Sequence, residues 1–398
     1  MAVGSRPALA GQRSRLSERV RQLSPSGIRR FFDLIATMQG VISLGVGEPD
    51  FVTPWRIREA AIHAIEKGYT HYTSNFGLKE LREAVARNLA SRYGVEYDPA
   101  SEILITVGVS EALDLAMRSI LDPGDEVIIP EPTYVSYVPC VTLAGGAFIP
   151  APSYVENDFK VKAADIEARV TPRTRAIVVG YPNTPTGAVI ERAEFKKIVD
   201  VARRHDLLIV SDEIYDRLVY GVQHVCVASL PGARERTIFL GGMSKAYAMT
   251  GWRIGFAAAP AEIIEGMMKV HQYTMLCAST LSQLAAVEAL RTGEEDVRRM
   301  VEEYDRRRRL IVKGLNNIGL TCFEPRGAFY AFPSIRATGL SSQEFAEKLL
   351  MEEKVAVVPG DAFGPSGEGY VRCCYAVAAE QIEEALGRIG RFVQRHRA

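Results

Sequence analysis

Runs of Val, Ile and Leu alternate with amphipathic stretches through the middle of the chain. Seven such runs predict strands, at 103–107 (ILITV), 126–129, 147–149, 176–179, 207–210, 237–240 and 254–258. The runs are continuous and not alternating, which suits strands buried on both faces. Helical patterning falls between them, at 110–120 (SEALDLAMRSI) and 191–205 (ERAEFKKIVDVARRH). Strand and helix in alternation predict an α/β domain whose sheet is mostly parallel and covered by helices. The last third reads differently. A charged helical run at 294–318 gives way to short strand candidates at 329–332 and 355–358, then a closing helix at 379–393. That pattern predicts a smaller α+β domain, with a helix over 17–38 packing against it.

Composition narrows the class. At 398 residues the chain can bury roughly three-quarters of its surface, so it needs no disulfide or metal staple. With 47% hydrophobic and 24% charged residues, disorder as the main state is excluded. Basic and acidic residues balance at 48 each, which argues against a nucleic-acid partner. The run Arg306 to Arg309 follows Glu302, Glu303 and Asp305 in a helical stretch, and predicts a solvated, self-paired helix face. No stretch approaches the ~18 uninterrupted apolar residues of a membrane span. The segment 1–15 carries Arg6, Arg13 and Arg15 without the apolar core of a secretory signal. It is expected to be a flexible tail, and the compartment to be cytoplasmic. The six cysteines make no C-x-x-C pair and no zinc spacing, so a reduced, metal-free interior is expected.

In open α/β sheets a ligand sits past the carboxyl ends of the strands, so the polar residues there carry the chemistry. After ILITV come Gly108, Val109 and Ser110, opening a helix whose free N–H groups suit an anion such as phosphate. Alone, Ser110 reads equally as a plain N-cap. After 207–210 come Asp212 and Tyr215; the acid either caps a turn or holds a heterocyclic nitrogen protonated. After 237–240 come Ser244 and Lys245, then Arg253. A desolvated lysine loses basicity and becomes an imine-forming nucleophile, and Arg253 is a candidate phosphate clamp. After 176–180 the loop Tyr181-Pro182-Asn183-Thr184-Pro185-Thr186-Gly187 presents an amide and hydroxyls on a rigid turn. Weak singly, these parts together make the set that pyridoxal phosphate needs: a Schiff-base lysine, an acid for the ring nitrogen and a phosphate site.

At this point the chain resembles the class I aminotransferases, the aspartate aminotransferase-like branch of the fold type I pyridoxal-phosphate enzymes. The likeness runs from about Leu16 to the C-terminal helix and is most specific at residues 244–255 (SKAYAMTGWRIG). It implies a large α/β domain over 45–290 with a mostly parallel seven-stranded sheet, and a smaller α+β domain from 16–44 and 291–398. It also implies that Lys245 forms the Schiff base with pyridoxal 5'-phosphate and shuttles the proton at the substrate's α-carbon. Asp212 would keep the pyridine nitrogen protonated. Tyr215 would bond the cofactor's phenolic oxygen and lower the imine pKa, and Tyr134 would stack on the ring. Val109, Ser110, Ser244 and Arg253 fit the phosphate site. Arg372, in the run EGYVR, matches the arginine that grips the substrate carboxylate, a task suited to a planar bidentate fork. Gly47 matches the glycine bordering the substrate. Tyr72 matches a tyrosine reaching the partner subunit's cofactor phosphate, which implies a homodimer with shared sites.

Two positions depart from the family pattern. Asn usually stands directly before Pro-Thr-Gly, whereas here Thr184 does, with Asn183 one place earlier. Either Thr184 donates to the phenolic oxygen through its hydroxyl, or the loop shifts to present Asn183. A serine often stands three residues before the lysine; here it is Gly242. The expected reaction is ping-pong transfer of an amino group between an L-α-amino acid and a 2-oxo acid. Aspartate and 2-oxoglutarate are the default pair; aromatic, alanine or branched-chain donors and a lyase are the alternatives. A DNA-binding regulator on this fold is disfavoured by the early start of the likeness and the zero net charge.

Overall fold

The computed structural model describes residues 14–23 and 38–397. The first strand, β1 (Ile42–Ser43), is short. The next seven form one sheet: β2 (Ile103–Thr106), β3 (Glu126–Glu131), β4 (Ala147–Pro152), β5 (Thr174–Gly180), β6 (Leu208–Asp212), β7 (Thr237–Gly242) and β8 (Gly255–Ala258). Their order is β2-β8-β7-β6-β5-β3-β4. The pairs from β4 through β3, β5 and β6 to β7 are parallel, and β8 runs antiparallel to both neighbours. Every one of the seven apolar runs is a strand of this sheet. β2, β3, β7 and β8 are buried nearly end to end, as continuous apolar runs require.

Helices Gly108–Ile120, Arg192–Arg204 and Ala261–Thr274 cover the faces, each turning an apolar stripe inward. The sharp turn from β2 into the first of these needs φ +74° at Gly108, a left-handed conformation that glycine adopts without strain.

The C-terminal part holds two further small sheets. β9 (Tyr330–Ala331), β11 (Val358–Pro359) and β12 (Val371–Cys374) form an antiparallel sheet in the order β11-β12-β9. β10 (Val355–Ala356) instead pairs parallel with β1. The strand expected at 355–358 is thus two strands, and the chain passes between sheets at Val357. Helix Ser342–Glu353 is closed at its start by a capping box of Ser341 and Glu344. Helix Glu294–Asn317 and the closing helix Ala379–Arg395 pack against each other.

Two expectations change. The helix expected over 17–38 is seen as Glu18–Gln22, ending at an extended Leu23, and 24–37 lie outside the described residues. The described turn rests on helix Tyr137–Ala144 of the large sheet, where Arg19 donates to the Leu143 carbonyl at 3.2 Å. The arginine run at 306–309 is self-paired but only half solvated. Arg307 and Arg308 are buried, because they reach across to Asp50 and Glu324 respectively. The tail expected at 1–15 falls almost wholly outside the described residues. Among the described residues no helix is long and apolar enough to cross a membrane.

Candidate active site

The carboxyl ends of the parallel strands open onto a cavity of about 480 Å³. Eleven of the expected site residues line it: Gly47, Val109, Ser110, Tyr134, Thr184, Asp212, Tyr215, Ser244, Lys245, Arg253 and Arg372. They come from far apart in the chain, brought together by the sheet and by β12.

Asp212 ends β6. Its Oδ2 accepts from the Tyr137 hydroxyl at 2.9 Å and its Oδ1 from the Ile214 N–H at 3.2 Å. Burial pushes its pKa up to about 6, with those two donors pulling it back. Gly180, its register partner on β5, is what makes room for Tyr137: a Cβ there would run into the tyrosine hydroxyl. Lys245 lies just past β7. Its Nζ donates to the Gly47 carbonyl at 2.6 Å and stands 5.8 Å from the Tyr215 ring centre. Burial lowers its pKa to about 8, an effect to which Arg372 and Arg253 add and which Cys374 and Glu48 oppose. That combination, a desolvated amine beside two cations, is what an imine-forming lysine requires.

The expected anion site is built from the first turn of helix Gly108–Ile120 and from Arg253, which holds φ +50° after the turn Thr250–Trp252. A Cβ on Gly108 would sit 2.6 Å from the Arg253 guanidinium, and one on Gly255 would sit 2.8 Å from the Val109 nitrogen. Glycine at both places lets the arginine and the helix start close on one spot, where free N–H groups face solvent or a ligand. Tyr134 packs edge-on to Tyr137, ring centres 5.6 Å apart.

Arg372 is buried on β12. One Nη donates to the Gly45 carbonyl at 2.6 Å, whereas its Nε has no partner among the described residues. A buried guanidinium with an unused N–H suits an incoming carboxylate. Its fork lies over the rings of Tyr330 at 4.6 Å and Phe363 at 4.9 Å.

Two expected residues stand elsewhere. The Asn183 side chain is buried in its own loop, accepting from the Thr186 hydroxyl at 2.8 Å, and does not line the cavity; Thr184 does. Tyr72 is 82% exposed and also lies off this cavity. Sequence reasoning missed Tyr137 and Tyr330. Both sit in apolar surroundings, YVPCV and GAFYAF, that read as core. Tyr330 carries a hydroxyl 2.7 Å from that of Tyr215.

The model of the family described as aminotransferase class I and II matches residues 39–389. The chain is 48% identical over 382 residues to aromatic-amino-acid aminotransferase 2 of Thermococcus litoralis, covering 95% of this chain and 98% of that one. It is equally similar to the aspartate aminotransferase of Pyrococcus abyssi, 48% identical with the same coverage. Among solved structures, the aromatic aminotransferase of Pyrococcus horikoshii superposes with a TM-score of 0.88. It is 46% identical, over 92% of this chain and 99% of that one. A family match over that span, on this sheet and with this degree of identity, means that the chain belongs to the class I and II aminotransferases, with their fold, and is a transaminase.

Proposed function

We propose that this transaminase works with pyridoxal 5'-phosphate held in the cavity at the strand ends, and that Lys245 is its attachment point. The observation that carries this is that Lys245, held by the Gly47 carbonyl, and the buried Asp212 line one cavity. The fit also rests on the space that Gly108 leaves beside Arg253 and on the Arg372 Nε, which has no partner among the described residues. Once bound, the cofactor supplies an electrophilic carbonyl and a sink for the electrons of a broken Cα–H bond.

The protein's own groups do the rest. Asp212 holds a proton at the ring nitrogen, as a buried acid next to a cationic partner does. Tyr215, with Thr184 beside it, donates to the phenolic oxygen. Arg253, Ser244, Ser110 and the N–H of Val109 take the phosphate, and Tyr134 covers the ring. Arg372 fixes the substrate carboxylate, which turns the α-hydrogen toward Lys245. Displaced from its attachment by the substrate's amino group, the Lys245 amine would be free to take and release that proton. Residues 45–290 form one domain and 38–44 with 291–398 the other, the site lying between them, while Glu18–Gln22 rests on helix Tyr137–Ala144 of the first.

The donor is an L-α-amino acid and the acceptor a 2-oxo acid. Aspartate requires a cation for its distal carboxylate. Among the described residues, the Lys and Arg residues lining the cavity are Lys245, Arg253 and Arg372, each with a task. Val46, Leu113, Val135 and Ile214 supply apolar walls, which favours an aromatic or aliphatic donor over aspartate. The relatives named for aromatic substrates support the same choice. Those named for aspartate keep it as the second reading.

The test is a spectral half-reaction screen. The cofactor-loaded protein is titrated with each amino acid while its visible band is followed, and 2-oxoglutarate is then added. Bleaching by tyrosine or phenylalanine with recovery on 2-oxoglutarate supports the reading; bleaching by aspartate alone replaces the donor. Release of ammonia without recovery points to a lyase and overturns it.

A further inference from the structure

We propose that Tyr330 is a positioning residue of the site, fixing the direction of the Tyr215 proton and linking Tyr215 to the carboxylate clamp Arg372; this rests on the roles given above to Tyr215 and Arg372.

The geometry places Tyr330 at a junction. Its hydroxyl lies 2.7 Å from the Tyr215 hydroxyl, both buried, and either can be the donor. Its ring lies beneath the Arg372 guanidinium at 4.6 Å. β9 and β12 make this contact by register: Tyr330 pairs with Cys374, two residues from Arg372 and so on the same face. The Tyr330 hydroxyl also presses on Gly47, where any Cβ would meet it, and the Gly47 carbonyl accepts from Lys245. One phenol thus touches the tyrosine, the arginine and the glycine of the site.

Two phenols sharing a short hydrogen bond have one proton between them and one left over. If Tyr215 donates to Tyr330, it has none for the cavity; if it accepts, its own O–H is free to donate there. The more acidic phenol is the better donor. The permanent Arg372 cation lies over the Tyr330 ring at 4.6 Å, so the developing negative charge of a donating phenol is better supported on Tyr330 than on Tyr215. Tyr330 is therefore the donor, and Tyr215 is left to donate to the cofactor's phenolic oxygen, strengthened by the bond it accepts. Because Arg372 faces the Tyr330 ring, a carboxylate on Arg372 weakens the field that keeps Tyr330 acidic. Occupancy of the clamp is then transmitted to Tyr215.

The experiment compares wild type, Tyr330→Phe, Tyr215→Phe and the double variant, each loaded with pyridoxal phosphate. It reads the pH titration of the bound cofactor's absorbance, its dissociation constant, and the thermal midpoint. Phenylalanine keeps the ring under Arg372, so the fold is retained. The Tyr330→Phe change should raise the apparent pKa of the absorbance transition by roughly half a pH unit. Tyr215→Phe should raise it further, and the double variant should match Tyr215→Phe, because the effect of Tyr330 runs through Tyr215. An unshifted transition in Tyr330→Phe, or shifts that add in the double variant, would overturn the inference while leaving the cofactor reading intact. A wild type that binds no cofactor would instead remove the reading beneath it.

Discussion

Lys245 and Asp212 show how burial sets chemistry residue by residue. A lysine with its pKa lowered to about 8 keeps a useful share of free amine at neutral pH, where an exposed lysine keeps almost none. The rate at which the cofactor-free protein captures pyridoxal phosphate should therefore climb with pH and level off above about 8, as stopped-flow absorbance would show. Lys245→Ala should abolish both capture and turnover; a coloured, active variant would contradict the scheme. Asp212 works the other way. Its folded pKa of about 6 lies above the ordinary 3.8, so the native state binds more protons across that window. Stability of the cofactor-free protein should then fall as pH rises from about 4 to 6, and stay reduced above it. Asp212→Asn removes this cost. It should stabilise the cofactor-free protein at pH 7.5 by roughly 1–3 kcal/mol in urea melts while eliminating transamination. An unchanged pH slope in the variant would show that the acid is not strained. The lysine and the acid were legible as residues because each follows a buried strand. Tyr330 was not, since a tyrosine inside an apolar run reads as core until its neighbour Tyr215, 115 residues away, is brought beside it.

Single elements carry the next level of control, and the segment 45–50 is the clearest case. Its Gly45 carbonyl accepts from Arg372 and its Gly47 carbonyl from Lys245. Asp50 at its end is tied to helix Glu294–Asn317 by Arg307, at 2.8 and 2.9 Å to its two oxygens. Arg307 also packs on Phe51 and Tyr304, so the end of the segment is held against that helix. Arg307→Ala should cost roughly 2–3 kcal/mol in stability, because it strands a partly buried carboxylate. It should also raise KM for amino acids more than it lowers kcat, since the loop carries no reacting atom; equal losses in both would argue against a positioning role. This tie could not be read from sequence. The arginine run looked like a solvated face because its acidic neighbours in the helix satisfy a charge count, and Asp50 lies 257 residues away. The seven sheet strands were readable for the opposite reason: continuous Val, Ile and Leu runs have no stable place except a sheet covered on both sides. The short strands at 355–359 were readable as extended but not as divided, because division depends on β1 and β12 and not on local pattern.

At the scale of the whole molecule, one apolar face stands exposed among the described residues. Trp55, Ile62, Ile65, Tyr69 and Tyr72 are exposed along one segment, and Tyr273, Met275 and Leu276 along another. The two are joined: Thr280 donates to the His71 carbonyl at 2.7 Å, and Asn75 to the Leu276 carbonyl at 2.8 Å. Apolar side chains gathered in this way mark an association surface more often than a bare exterior. We propose that a second copy of the chain covers this face, with Tyr72, which stands off its own cavity, reaching the neighbouring site. The protein should sediment as a dimer when loaded with cofactor. Trp55→Asp, which places a charge on this surface, should yield monomers that lose pyridoxal phosphate on dilution. Tyr72→Phe should leave the dimer intact but weaken cofactor retention by about tenfold, the worth of one hydrogen bond to a charged group. The pair of variants separates assembly from contact. Monomers that retain the cofactor as tightly as wild type would show that each site is complete within its own chain. A dimer indifferent to Tyr72→Phe would show that the surface joins the copies without Tyr72 contributing to the neighbouring site.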